Sequence, residues 1–179
     1  MRKILEFPEL RQVADFDCGA CALQCVLVYY GRPEREDAIA MAAGTNPAEG
    51  TSIAGMLSVL QHFALKYFAG TMQLDDVLAA IDCGWPVIVA LQAYSNSPRR
   101  YQDDNEDGHY VVAIGYDEEE GRCQKILFED PSAYTRTWLT PAELAARWHD
   151  VDGGRPLLHW GCIVKGAAQF HAGEAVHML

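Results

Sequence analysis

The apolar residues of this chain change their spacing near residue 85. That change limits the possible folds more than any other feature of the sequence. Before it, apolar residues recur at helical intervals. Ala20, Leu23, Leu27, Val28 and Tyr30 share one face of a run that is entered at Asp17-Cys18-Gly19 and stopped by Gly31. Asp17 stands where it can cap this helix, which puts Cys18 in the first turn. A second helix is predicted over 35–43, closed by Gly44. A third opens at Gly50-Thr51-Ser52 and is carried by Ile53, Met56, Leu57, Leu60 and Phe63. A fourth runs over 74–81 with Asp75 and Asp76 in its first turn.

Beyond residue 85 short β-branched runs take over. Residues 85–91, Trp-Pro-Val-Ile-Val-Ala-Leu, read as a buried strand, and 110–116 as another. The acids of 117–121 mark a turn, 125–128 its hairpin partner, and 135–139 a further strand. Thr140-Pro141-Ala142-Glu143 is a helix start, with Thr as cap, Pro in the first position and Glu able to reach back to the cap. That helix should end near Trp148, and 157–164 reads as the last strand. The class predicted is α+β, a helical N-terminal half followed by an antiparallel-sheet C-terminal half. A cleft is expected between them. One domain over 1–165 is expected, with 166–179 as a loosely held tail.

At 179 residues the chain is long enough for a single domain with a substantial core. No stretch reaches the ~18 unbroken apolar residues of a membrane span. The start, Met1-Arg2-Lys3-Ile4-Leu5-Glu6-Phe7-Pro8, lacks the apolar core of a secretory signal, so a cytoplasmic protein is expected. The net charge of -11 argues against nucleic acid as a partner. It suits a cationic peptide, and equally plain solubility. The six cysteines are Cys18, Cys21, Cys25, Cys83, Cys123 and Cys162. Cys25 and Cys162 lie inside apolar runs, as free thiols of a reducing compartment do. Cys18-x-x-Cys21 is half of a redox or metal motif. No strong strand precedes it and no second pair follows, so no metal or cofactor is expected.

Gln12, Cys18, His109 and Asp130 occur in the order of a thiol-dependent acyl-transfer site, with Gln12 six residues before Cys18. A helix N-terminus and an adjacent imidazole both favour a thiolate, which is the reactive form of Cys. His109 opens a Val-rich strand and would take the thiol proton, then protonate the leaving amine. Asp130, before Pro131, would orient His109. Gln12 and the Cys18 backbone N–H would donate to the oxyanion. The polar segment 94–107 precedes the His109 strand and is expected to border the cleft. Its acids would bind a basic substrate and raise the His109 pKa, or remain a solvated loop.

These motifs resemble those of the bacteriocin-processing cysteine peptidases, the papain-like family that removes double-glycine leader peptides, often at the front of peptide-exporting ABC transporters. The matching residues are Gln12, Asp17-Cys18-Gly19, Tyr29-Tyr30-Gly31, His109-Tyr110-Val111-Val112 and Asp130-Pro131. Gly50-Thr51-Ser52 and Gly84-Trp85-Pro86-Val87-Ile88-Val89 match the connecting signals, and the likeness runs from about residue 12 to 164. It implies a papain-like fold, Cys18, His109 and Asp130 as a triad, Gln12 in the oxyanion hole, a peptide or protein substrate and no cofactor. No Walker motif is present, so a peptidase domain standing apart from a transporter is expected. The long interval from His109 to Asp130 is expected to be a hairpin extension over 117–124. The same residues would also serve acyl transfer or deamidation, and a non-catalytic peptide-binding domain is the alternative of another class.

Overall fold

Strand β3 carries the molecule. The computed structural model describes residues 1–95 and 100–173. Before β3 come β1 (Arg2–Ile4), α1 (Cys18–Tyr29), α2 (Glu36–Ala43), α3 (Ile53–His62), β2 (Lys66–Thr71) and α4 (Leu74–Asp82). All six residues of β3 (Val87–Gln92) are buried, as a near-continuous apolar run requires. It pairs antiparallel with β4 (Gly108–Glu119) on one side and β9 (Trp160–Lys165) on the other. With β5 (Arg122–Glu129) and β6 (Thr137–Leu139) the sheet order is β2-β9-β3-β4-β5-β6, and β1 pairs with β4. Helix α1 packs on β4 and on α2, and α5 (Pro141–Arg147) lies against β5. One hydrophobic core runs through α1, β3, β4 and β9.

The predicted helices all form, and their ends obey local chemistry. Gly44 closes α2 at φ 68, in the left-handed region where glycine is favoured. The Ser52 hydroxyl accepts from Gly55 N–H at 3.1 Å, and Thr140 and Glu143 form the expected capping box. Asp76 accepts from the Gln73 N–H at 2.7 Å, which closes the start of α4. Asp17 departs from expectation. It precedes α1, but its carboxylate accepts from the Ala14 N–H instead of capping the helix, at 3.1 and 3.0 Å from its two oxygens. It thus folds the preceding loop back on itself.

Three strands escaped the sequence pattern. β1 is three residues long, too short for a period to register. β2 contributes Lys66, Ala69 and Gly70 to a partly exposed edge of the sheet. The front half is therefore not purely helical. The single strand expected over 157–164 is two. β8 (Arg155–Leu158) forms a hairpin with β7 (His149–Asp152), and His159, at φ 50, turns the chain into β9. The turn expected over 117–121 is tighter: β4 continues to Glu119, and Glu120 and Gly121 make the reversal at φ 50 and 74.

The expected loose tail is held at its start. Gln169 and Phe170 donate to the Tyr29 carbonyl, and Ala172 to Glu6. Residues 174–179 lie outside the described residues. Cys21, Cys25 and Cys162 are buried free thiols. Among the described residues no helix is long and apolar enough to cross a membrane.

Candidate active site

Cys18 is the first residue of α1, so the N–H groups of the helix's first turn lack intrahelical partners. The first intrahelical bond of this turn is Cys21 N–H to the Asp17 carbonyl, at 3.0 Å. Gly19 explains how the helix start comes so near the 50–52 loop. A Cβ there would stand 2.6 Å from Thr51 Cβ and 3.1 Å from Tyr110 Cδ2, closer than side chains tolerate.

His109 is the second residue of β4, opposite Leu91 of β3, and is only 6% exposed. Its Nε2 lies 2.8 Å from Asp130 Oδ1. The other ring nitrogen is left for the Cys18 thiol, which lies near enough to act on the imidazole. Burial works against a charged imidazole. Asp130 and Cys18 outweigh it and push the His109 pKa up to about 9. The causes that stand out for His109 are its own burial, Asp130 and Cys18. Residues 96–99 of the 94–107 segment lie outside the described residues.

Asp130 follows β5 and is 2% exposed. Burial would raise its pKa, yet the His109 bond and charge hold it below the usual carboxylate range, helped by Tyr94 and the Ser132 N–H. Its lone pairs are fully used. Oδ1 accepts from His109 and from Ser132 N–H at 3.0 Å, and Oδ2 from Tyr94 Oη at 2.5 Å and Thr137 Oγ1 at 3.1 Å. The Tyr94 ring also meets the His109 ring edge to face, 5.5 Å between centroids. Its backbone sits at φ 61, an unusual conformation for an aromatic residue.

Gln12 is placed by the turn after Asp130. Its N–H donates to the Pro131 carbonyl at 3.1 Å, and its Oε1 accepts from Ser132 Oγ at 2.7 Å. Its Nε2 donates to the Ala14 carbonyl at 2.7 Å, so one of its two amide hydrogens is engaged and the other remains. Beneath this segment, Glu129 is fully buried between Arg11 and Arg136. Arg136 also donates to the Phe7 carbonyl at 2.9 Å. These pairs fasten residues 7–11 to the end of β5.

Cys18, His109 and Asp130 are therefore brought together, and Gln12 is joined to Asp130 through Ser132. Tyr94, Ser132 and Thr137 were not anticipated. Ser132 had a signal, because the residue two after an Asp commonly donates its N–H to that carboxylate. Tyr94 and Thr137 had none. A cavity of about 280 Å³ opens beside Cys18, walled by the Phe16 and Gly50-Thr51 loops, Gly108, Tyr110 and Asp150 to Asp152 of β7. Among the described residues no cluster of three or more His, Cys, Asp or Glu could hold a metal ion.

Residues 4–154 match the Peptidase_C39 like family. The Pediocin PA-1 transport/processing ATP-binding protein PedD of Pediococcus acidilactici is 27% identical over 142 residues, which make up 78% of this chain. The chain spans 17% of that relative's length. A C39-like peptidase of Bacillus anthracis superposes with a TM-score of 0.71 at 15% identity, covering 94% of this chain and all of that one. The peptidase domain of Streptococcus ComA, a bi-functional ABC transporter, gives 0.65 at 16% identity, covering 90% and 96%. A double glycine motif protease from an AMS/PCAT transporter, solved with its leader peptide, gives 0.64 at 16%, covering 92% and 95%. These structural likenesses establish the papain-like peptidase fold.

Proposed function

Because the chain belongs to the Peptidase_C39 like family of cysteine peptidases, we propose that Cys18, His109 and Asp130 are its catalytic triad and Gln12 its oxyanion donor. The observation that carries this reading is the buried His109–Asp130 pair, 2.8 Å from Nε2 to Oδ1, with Cys18 beside the imidazole at the start of α1. With Nε2 held by Asp130, the other imidazole nitrogen takes the thiol proton. The Cys18 sulfur then attacks the peptide carbonyl. The tetrahedral oxyanion accepts from the Cys18 backbone N–H at the start of α1 and from the free amide hydrogen of Gln12. His109 returns its proton to the leaving amine. A water, deprotonated by the same imidazole, hydrolyses the thioester and frees the carboxylic acid.

The substrate proposed is a leader peptide with a glycine pair at the cleavage site. Support comes from the likeness to PedD, a transport/processing protein, and to a double glycine motif protease solved with its leader peptide. The test is incubation of the protein with peptides that contain a Gly-Gly junction, read as product masses. Cleavage after the junction, abolished in Cys18→Ala and reduced at least ~10²-fold in His109→Ala, is expected. Undiminished cleavage by Cys18→Ala refutes the reading.

A further inference from the structure

We propose that the cavity beside Cys18 is a subsite for a cationic side chain, a lysine or arginine adjacent to the glycine pair of the substrate. This inference rests on the catalytic reading above and specifies the substrate it acts on. The walls contribute five carboxylates, Asp15, Glu49, Glu106, Asp150 and Asp152, and no Lys, Arg or His. Among the described residues, none of Asp15, Glu49, Asp150 and Asp152 is paired with a cation within salt-bridge distance. Elsewhere on this molecule carboxylates do find such partners. Asp117 pairs with Arg2, Asp82 with Lys3 and Glu129 with Arg11 and Arg136.

The floor of the cavity supplies a second, separate observation. Tyr110 is 8% exposed and lines the cavity. Among the described residues its hydroxyl has no hydrogen-bond partner, and burial first, then the nearby charges of Asp150 and Asp152, hold its proton on. The ring is packed away while the hydroxyl stays accessible and, among the described residues, without a protein partner, so it is free to meet a ligand's donor or acceptor. Asp150 is held in place around it. Its Oδ1 accepts from the buried Gln92 Nε2 at 3.1 Å and from Val151 N–H at 2.9 Å. Its carboxylate rests on Gly108, where a Cβ would stand 2.5 Å from Oδ1 and 2.8 Å from Oδ2. Gly108 is the residue before His109, which puts this carboxylate beside the reacting groups. Asp152 accepts from Ile53 N–H at 3.2 Å and closes the far wall.

A side chain that donates hydrogen bonds and carries positive charge satisfies Tyr110 Oη, Asp150 and Asp152 together. Burial is the main reason the Asp150 pKa lies above its usual range, and the Asp152 charge adds to it. The positive charge of a bound ammonium or guanidinium opposes both.

The test uses reduced protein and three methanethiosulfonate reagents of similar size. One carries a trimethylammonium, one is neutral and one carries a sulfonate. Rates at Cys18 are read by peptide mapping, with the exposed Cys83 of the same molecule as the internal reference. The ratio of cationic to anionic rate at Cys18 should exceed that at Cys83 at least tenfold. Asp150→Asn and Asp152→Asn should each lower it about threefold. Glu49→Gln, on the exposed rim, serves if either inner variant fails to fold. Gly-Gly peptides with an adjacent lysine should shield Cys18 at concentrations at least tenfold below those needed with norleucine there. Equal ratios at Cys18 and Cys83, or equal shielding, overturn the subsite while leaving the peptidase reading intact. Shielding by calcium chloride alone at millimolar concentration overturns the assignment to a side chain. Slow reaction of Cys18 even with the neutral reagent at pH 6, with the profile of an ordinary thiol near 8.5, overturns the catalytic reading itself.

Discussion

Replacing Asp130 by asparagine separates charge from shape at the centre of the site. The amide oxygen must take the Oδ1 position, because the opposite orientation sets an N–H against the Ser132 N–H that now donates there at 3.0 Å. In that position it still accepts from His109 Nε2. The amide nitrogen then meets the hydroxyls of Tyr94 and Thr137, which can turn to accept. Packing survives and the negative charge does not. His109 stands at about 9 against a usual 6.5, a difference of 2.5. At 1.36 kcal/mol per pH unit that is a preference of about 3 kcal/mol for the imidazolium. Burial opposes the rise, so Asp130 and Cys18 must supply more than the whole of it. Without the Asp130 charge the His109 pKa should fall to about 7. At pH 8 the imidazolium population then drops from about 90% to about 10%. The assay is an NMR titration of the His109 Hε1 proton from pH 5 to 10 in both proteins. A midpoint in Asp130→Asn within ~0.3 of the wild type would show that the carboxylate charge does not set the His109 protonation state, and the reasoning fails.

The same linkage reaches stability. A folded-state pKa raised above the unfolded 6.5 gives stabilisation that is complete below pH 6.5 and lost as pH rises through about 9. The thermal midpoint should therefore fall between pH 6.5 and 9 in the wild type and far less in Asp130→Asn, by calorimetry. Ser132→Ala frees the Gln12 carbonyl oxygen and removes its link to the Asp130 turn. Turnover of a Gly-Gly peptide should drop about tenfold with KM nearly unchanged, whereas Gln12→Ala should cost ~10²-fold or more. Glu129→Gln removes the buried charge shared by Arg11 and Arg136 and should lower stability by about 3 kcal/mol in urea titrations. Gly55→Ala drives a Cβ to 2.0 Å from the Ala43 carbonyl oxygen, so the contact of α3 with the end of α2 must open. A loss of about 1–3 kcal/mol is expected by the same method.

How much of this was legible in the sequence follows from how far each feature reaches along the chain. The four longer helices of the front half and the capping box at Thr140 are local patterns, readable within a dozen residues. The buried strand β3 was readable because burial on both faces leaves an unbroken apolar run. β1 and β2 were not, since their identity as strands is conferred by β4 and β9, whose pairing no local window contains. The break at His159 was equally hidden. A histidine with positive φ leaves no mark in a run that otherwise reads as strand. The Asp17 carboxylate illustrates a choice between two local partners. A helix cap and the loop at Ala14 were both within reach, and the loop won.

The residues of the proposed active site were legible by type and order, but the groups that hold them were not. Gln12 and Cys18 lie six residues apart, which suggests one local unit. In space they are supported from opposite sides. Cys18 is set by α1 and by the close approach of Gly19 to Thr51. Gln12 is set by Pro131 and Ser132, well over a hundred residues later, and the segment before it by the Glu129 ion pairs. The short stretch between them is a strap from the helical part to the end of β5. Asp130 is the hub on the sheet side. Its four accepted bonds come from β4, from the loop after β3, from its own turn and from β6. The site is complete only when β3, β4, β5 and β6 are all in register. A slip of one residue anywhere along those ladders turns His109 to the other face of the sheet and leaves Asp130 buried without its partner. Register of the sheet and protonation of His109 are thus set by the same contacts. Loosening β6, which supplies Thr137 alone, should shift the His109 midpoint in an NMR titration before it measurably lowers the stability of the sheet.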